Sequence, residues 1–233
     1  MIFVPQPSSY RDSPEILKIA TDDSVRISAV YLPAPDAPVT IIYSHGNADD
    51  IGNVGPFADR LRFFGVSVLA YDYRGYGTSE GQPSVQGTYR DISAVYRYVT
   101  DTLGVAPERI VLWGHSVGSG PSVWLAAHHK VGGLVLESAF TGAFKVVTRV
   151  ALLPFDMYDN LGLIRSVHCP VLVIHGRKDL VIPIRHGKAL YERAQQPKSS
   201  IWLADCGHND VLICGGERFR TGVRDFLEGI ESQ

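Results

Sequence analysis

Cysteine is scarce in this chain: Cys169, Cys206 and Cys214 are the only three among 233 residues. An odd count without metal-ligand spacing speaks against a disulfide framework or a zinc site. It leads to the expectation of reduced thiols in a cytoplasmic protein. An excess of charge of one sign is missing too. The chain carries 22 Lys and Arg against 24 Asp and Glu, a net charge of −2, so neither nucleic acid nor an anionic membrane is the expected partner. No apolar run approaches the ~18 residues that span a bilayer, so no integral membrane anchor is expected. The opening MIFVPQPSSYRDSPE has no basic region, and Pro5 and Pro7 interrupt its apolar start. It does not read as a signal peptide. Internal repeats, low-complexity tracts and linkers rich in Gly, Ser or Pro are absent, which leaves one domain over residues 1–233. No G-x-x-x-x-G-K-[ST] and no H-E-x-x-H occurs, and the glycines of YDYRGYGTSEG lack dinucleotide-loop spacing. No cofactor and no metal are therefore expected.

What is present is alternation. Short β-branched runs at Ser24–Leu32, Val39–His45, Val66–Asp72, Ile110–Trp113, Gly133–Glu137, Val171–His175 and Ser200–Ala204 read as strands. Between them lie apolar stripes of helical spacing: Phe57, Leu61, Phe64; Val85 through Val99; Phe219, Val223, Phe226, Leu227, Ile230. Strands alternating with helices predict an α/β fold, a mostly parallel sheet covered by helices on both faces. Sites in such sheets form beyond the carboxyl ends of strands, so chemistry is sought just after each run.

WGHSVGSG, Trp113 to Gly120, follows one strand and opens a helical stretch. Its G-x-S-x-G core is the pattern of a nucleophile elbow, in which Ser116 sits at a sharp turn with its hydroxyl exposed. A serine hydroxyl is a poor nucleophile at neutral pH. It needs an imidazole to take its proton and a carboxylate to fix the imidazole tautomer. Asp179 stands just past VLVIHGRK, and His208 stands in CGHND after SIWLA. The order Ser116, Asp179, His208 is that of the α/β-hydrolase fold. Of eight histidines, only His208 lies in a loop after the last strand. Glu137 and Asp205 are alternative acids, with Asp179 ranked above Glu137 and Asp205 read as a strand-end cap. Oxyanion donors are expected from the backbone N–H of Val117 and, in SHGNADD, of Asn47.

YSHGNADD, YDYRGYGTSEG, LWGHSVGSG, VLVIHGRKDLVIP and CGHND together resemble the small α/β-hydrolase serine hydrolases. The likeness is greatest to the branch containing the acyl-protein depalmitoylases and their bacterial relatives. The resemblance implies an α/β-hydrolase fold with an eight-stranded sheet and a Ser116–His208–Asp179 triad. It implies hydrolysis of small acyl esters or thioesters without a cofactor. A short cap is expected at about 139–168, and Phe140, Leu180 and Val181, with Val117, are the candidate pocket surface. Two rivals stand beside this reading. An aminopeptidase-type hydrolase would grip an amino terminus through Asp49 and Asp50, which more easily cap the following helix. A binding module would use the fold without catalysis.

Overall fold

The structure is a computed structural model that describes residues 2–142 and 157–231. Eight strands form one sheet: β1 (Leu17–Ala20), β2 (Arg26–Leu32), β3 (Thr40–Ser44), β4 (Ser67–Tyr71), β5 (Ile110–His115), β6 (Gly133–Glu137), β7 (Val171–Gly176) and β8 (Lys198–Leu203). Their spatial order is β1-β2-β4-β3-β5-β6-β7-β8. β2 runs antiparallel to both of its neighbours, and every pair from β4 to β8 is parallel. β1 escapes the sequence pattern for a physical reason. It is four residues long and buries only Ile19, so alternation has no length in which to register.

β3, β4, β5, β6 and β7 carry near-continuous apolar runs because both faces of the sheet are covered. Successive side chains go to opposite sides. Ile41, Tyr43, Val111, Trp113, Leu172 and Ile174 pack with helices α1 (Gly55–Arg62) and, at the carboxyl end of the chain, Gly216–Glu231. Ile42, Leu112, Leu134, Leu136 and Val173 pack on the other face. There they meet α2 (Val85–Arg97), α3 (Ser119–His128) and α4 (Arg185–Arg193); the helix Gly216–Glu231 is α5. Asp50, read as a possible cap, does cap a helical turn: its Oδ1 accepts from the Gly52 N–H at 3.0 Å.

The strand order places the site. From β3 the chain crosses to β4 on one side and then returns to β5 on the other. The loops after β3 and β5 therefore diverge from a shared crevice, which is where open α/β sheets bind ligands.

The thiol expectation needs correction. Cys206 and Cys214 are disulfide-bonded, with Cα atoms 5.6 Å apart, and Cys169 is the free cysteine. The short helical turn Val211–Cys214 folds back toward the end of β8, a closure that an eight-residue spacing does not announce. The reduced-thiol argument for a cytoplasmic setting falls with it. Among the described residues, no helix is long and apolar enough to cross a membrane.

Candidate active site

Ser116 follows β5 directly and has φ +52°, the left-handed region that non-glycine residues occupy only under constraint. The constraint is visible at both glycines of the motif. A Cβ on Gly118 would run into the Ser44 carbonyl at the end of β3, and one on Gly114 would lie 2.6 Å from the Gly118 carbonyl oxygen. The elbow is this tight because β3 and β5 are paired neighbours, with Ser44 opposite Gly114. Ser119 Oγ donates to the Ser116 carbonyl at 2.6 Å, and Asn160 Nδ2 donates to Ser119 Oγ at 3.1 Å. Pro121 lies in the first turn of α3, where a missing N–H costs nothing.

The loops after β5, β7 and β8 bring three predicted residues together across 92 positions of sequence. Ser116 Oγ is 3.0 Å from His208 Nε2, and His208 Nδ1 is 2.8 Å from Asp179 Oδ2. The other carboxylate oxygen of Asp179 accepts from the backbone N–H groups of Val181 at 2.9 Å and Ile182 at 2.7 Å. Burial would raise the Asp179 carboxyl. The hydrogen bonds from His175 and His208 and the Ile182 N–H outweigh it and hold the group well below the usual carboxylate range. Asp179 is therefore an anion oriented at Nδ1. That leaves Nε2 as the acceptor facing the serine hydroxyl, a proton-relay geometry.

The alternative acids are occupied elsewhere. Glu137 is buried and accepts from Trp113 Nε1 at 2.8 Å. Asp205 is exposed and pairs with Lys178 at 2.8 Å.

The Val117 N–H lies in the first turn of the helical run after Ser116, where a helix has no carbonyl of its own one turn earlier to accept it. The Asn47 N–H has no acceptor among the described residues. These are the two positions expected to supply oxyanion donors. The Asn47 side chain does something the sequence did not suggest: it holds the main chain of Ile2 and Val4.

The expected pocket residues divide. Phe140 is buried, its ring 6.2 Å from that of Tyr158. Leu180 is 95% exposed and Val181 58% exposed, on the rim beside Asp179. Of the cap expected at about 139–168, residues 143–156 lie outside the described residues, and the rest includes the short helical turns Asn160–Leu163 and Ile164–Ser166, with Tyr158, Asn160 and Ile164 buried. A cavity of about 830 Å³ opens instead at the amino ends of the strands, lined by Arg109, His128, His168 and Ile230 among others. It lies at the end of the sheet opposite the loops that carry Ser116, Asp179 and His208.

Several residues of the site were not found by sequence reasoning. Ser138 Oγ donates to the His208 carbonyl at 3.1 Å, and His115 Nε2 lies 3.3 Å from the same oxygen. A carbonyl only accepts, so that nitrogen carries the proton. His175 Nε2 likewise donates to the Ile182 carbonyl at 2.8 Å, shaping the acid loop. Each acts through a fold contact, so no local signal marked it. Cys206, Asp210 and Cys214 bring three potential metal-ligand atoms within 4.8 Å, but the two sulfurs are bonded to each other.

The family model described as Hydrolase_4, serine aminopeptidase S33, matches residues 35–153. Among solved structures, a Pyrococcus furiosus esterase superposes with a TM-score of 0.80 at 22% identity, covering 97% of this chain and 98% of its own. The Rhodococcus esterase RhEst1 gives 0.74 at 21%, over 93% and 99%. These likenesses show the fold. The Homo sapiens α/β hydrolase domain-containing protein 17B is 36% identical over 213 residues, 89% of this chain and 74% of the relative. The Caenorhabditis elegans α/β hydrolase domain-containing protein aho-3 is 38% identical over 196 residues, 82% and 59%. Identity of this depth over nearly nine tenths of the chain, on the fold of the esterases, makes the protein a member of the α/β hydrolases and, among them, of the domain-containing protein 17 family.

Proposed function

We propose that this protein is a serine hydrolase that cleaves carboxylic esters or thioesters through an acyl-enzyme on Ser116. The observation that carries the reading is the continuous relay from Ser116 Oγ through His208 to a carboxylate anion at Asp179. In the first half-reaction His208 Nε2 takes the hydroxyl proton as Oγ attacks the acyl carbon. The carbonyl π pair moves onto oxygen, where the Val117 and Asn47 N–H groups receive the negative charge. Each such donor contributes about 3–4 kcal/mol to the transition state. Collapse expels the alcohol or thiol, which leaves with the proton from His208. Water then repeats the sequence on the acyl-enzyme and releases the acid. Nothing in this scheme calls for a cofactor.

The aminopeptidase reading needs a free acidic pair to hold an amino terminus. Both oxygens of Asp50 are committed, to the Ser9 N–H and hydroxyl and to the Gly52 N–H, so only Asp49 of that pair is left for the task. That favours the ester and thioester reading.

A fluorophosphonate probe tests the nucleophile. The adduct is expected on Ser116, and Ser116→Ala is expected to fold normally and lose several decades of turnover. An adduct on another residue, or parental turnover in the alanine variant, overturns the reading and leaves a binding module in its place. Nitrophenyl esters, acyl thioesters and aminoacyl anilides assayed side by side distinguish the leaving-group classes.

A further inference from the structure

The loop after β3 is tied to the rest of the fold mainly through side chains. Among the described residues, positions 46–49 turn at Asn47–Ala48 and make no main-chain hydrogen bond to any other segment. Ala48 within it has φ +59°, a conformation costly for alanine. The His45 ring lies on the Gly46 carbonyl at 2.8 Å, and the Asn47 side chain braces the loop from within, accepting from the Ala48 N–H at 3.1 Å, and also reaches out of it. The Asn47 carboxamide oxygen accepts from the Val4 N–H at 3.0 Å and from the Tyr76 hydroxyl at 2.6 Å, and its nitrogen donates to the Ile2 carbonyl at 2.7 Å. Phe3, between the two strap residues, is only 6% exposed and sets its ring edge-on to Tyr158 at 6.3 Å. Val4 N–H is shared with the Tyr76 hydroxyl at 3.0 Å, so strap, tyrosine and asparagine form one closed set.

We infer that Phe3 and Asn47 are positioning residues for the oxyanion site. This rests on the hydrolase reading above. Phe3 is the anchor: its burial fixes the main chain on either side, which leaves the Ile2 carbonyl and Val4 N–H in place for the carboxamide. The carboxamide in turn fixes the peptide plane before it, and with it the direction of the Asn47 N–H. That N–H needs aim rather than strength, because a donor helps only when it meets the oxygen where charge develops. The catalytic contact is made by the backbone, so side-chain substitutions at Phe3, Asn47 or Tyr76 act through it.

The test compares full-length Phe3→Ala, Phe3→Leu, Asn47→Ala and Tyr76→Phe with the parent. Substrates are nitrophenyl butyrate and its thionoester, in which sulfur replaces the carbonyl oxygen. Sulfur is larger and a weaker acceptor, so the ratio of kcat on ester to kcat on thionoester reads the fit of the oxyanion site. Phe3→Ala and Asn47→Ala are expected to lower kcat on the ester tenfold or more, to change KM less than threefold and to lower the ratio. Phe3→Leu is expected to recover most of the loss. Folding is followed by thermal melting; if Phe3→Ala does not fold, Tyr76→Phe, which deletes one oxygen, is expected to shift the ratio in the same direction by a smaller amount. Folded variants with the parental ratio overturn the inference, as does a kcat loss shared equally by ester and thionoester. Ser116→Ala in the same assay separates the two readings. If it is inactive while the ratio is parental in the strap variants, only the strap fails; if it retains parental activity, the hydrolase reading fails.

Discussion

Asp179 illustrates how much depends on single atoms. Its Oδ1 is fixed by two backbone N–H groups, and only Oδ2 faces His208. In Asp179→Asn the amide oxygen must take the Oδ1 position to satisfy those donors. The NH2 group is then turned on His208 Nδ1, which stabilises the wrong tautomer. Turnover is expected to fall by roughly 10⁴, the order seen when a triad carboxylate becomes an amide. Glu137→Gln keeps an acceptor for Trp113 and is expected to stay within about threefold of the parent by the same assay. The same anion shapes acid stability. Its carboxyl titrates lower in the folded than in the unfolded chain, so the stabilisation is present above the ordinary aspartate value of about 3.9 and is lost as pH falls below it. Denaturant melts from pH 5 down to 2 are expected to show a shallower stability loss in Asp179→Asn; equal slopes would mean that the carboxylate is not held as an anion by its partners.

At the level of elements, the loop after β8 is the most heavily braced part of the site. Its carbonyl at His208 takes the Ser138 hydroxyl and lies beside His115, and the Cys206–Cys214 bond closes the segment that contains it. A loop of this size, cross-linked in the unfolded chain, corresponds to about 2–3 kcal/mol of stability. Cys214→Ser is expected to lose that amount in chemical denaturation. Reductant is expected to destabilise the parent by the same amount and to leave the variant unchanged. Thiol titration of the denatured, unreduced parent should find one free thiol, Cys169, which burial pushes up to about 12 in the fold. A count of three contradicts the bond.

For the molecule as a whole, the expected preference concerns acyl length. Each methylene taken out of water contributes about 0.8 kcal/mol, close to fourfold in kcat/KM. The described rim beside Asp179 offers little cover: Leu180 and Val181 stand in solvent, and Phe140 is committed to the core. Specificity is expected to rise from acetyl through short and medium acyl esters and then level off. A series of nitrophenyl esters, each below its micelle concentration, decides it. A constant still climbing at palmitate would mean that the site encloses a long chain.

The sequence by itself determined the layered α/β architecture, seven of the eight strands and the residues that now stand in the relay. Those features are written locally, in two-residue and 3.6-residue periodicity, in the glycines of an elbow, and in polar residues placed just after strands. Four-residue β1 was too short to write a period. What only the tertiary structure decided are contacts between loops far apart in the chain: Ser44 against Gly118, Ser138 and His115 on the carbonyl of His208, Cys214 on Cys206, Ile2 and Val4 on Asn47. Each depends on which strands lie side by side, and strand order is set by the packing of helices on both faces rather than by any run of neighbouring residues.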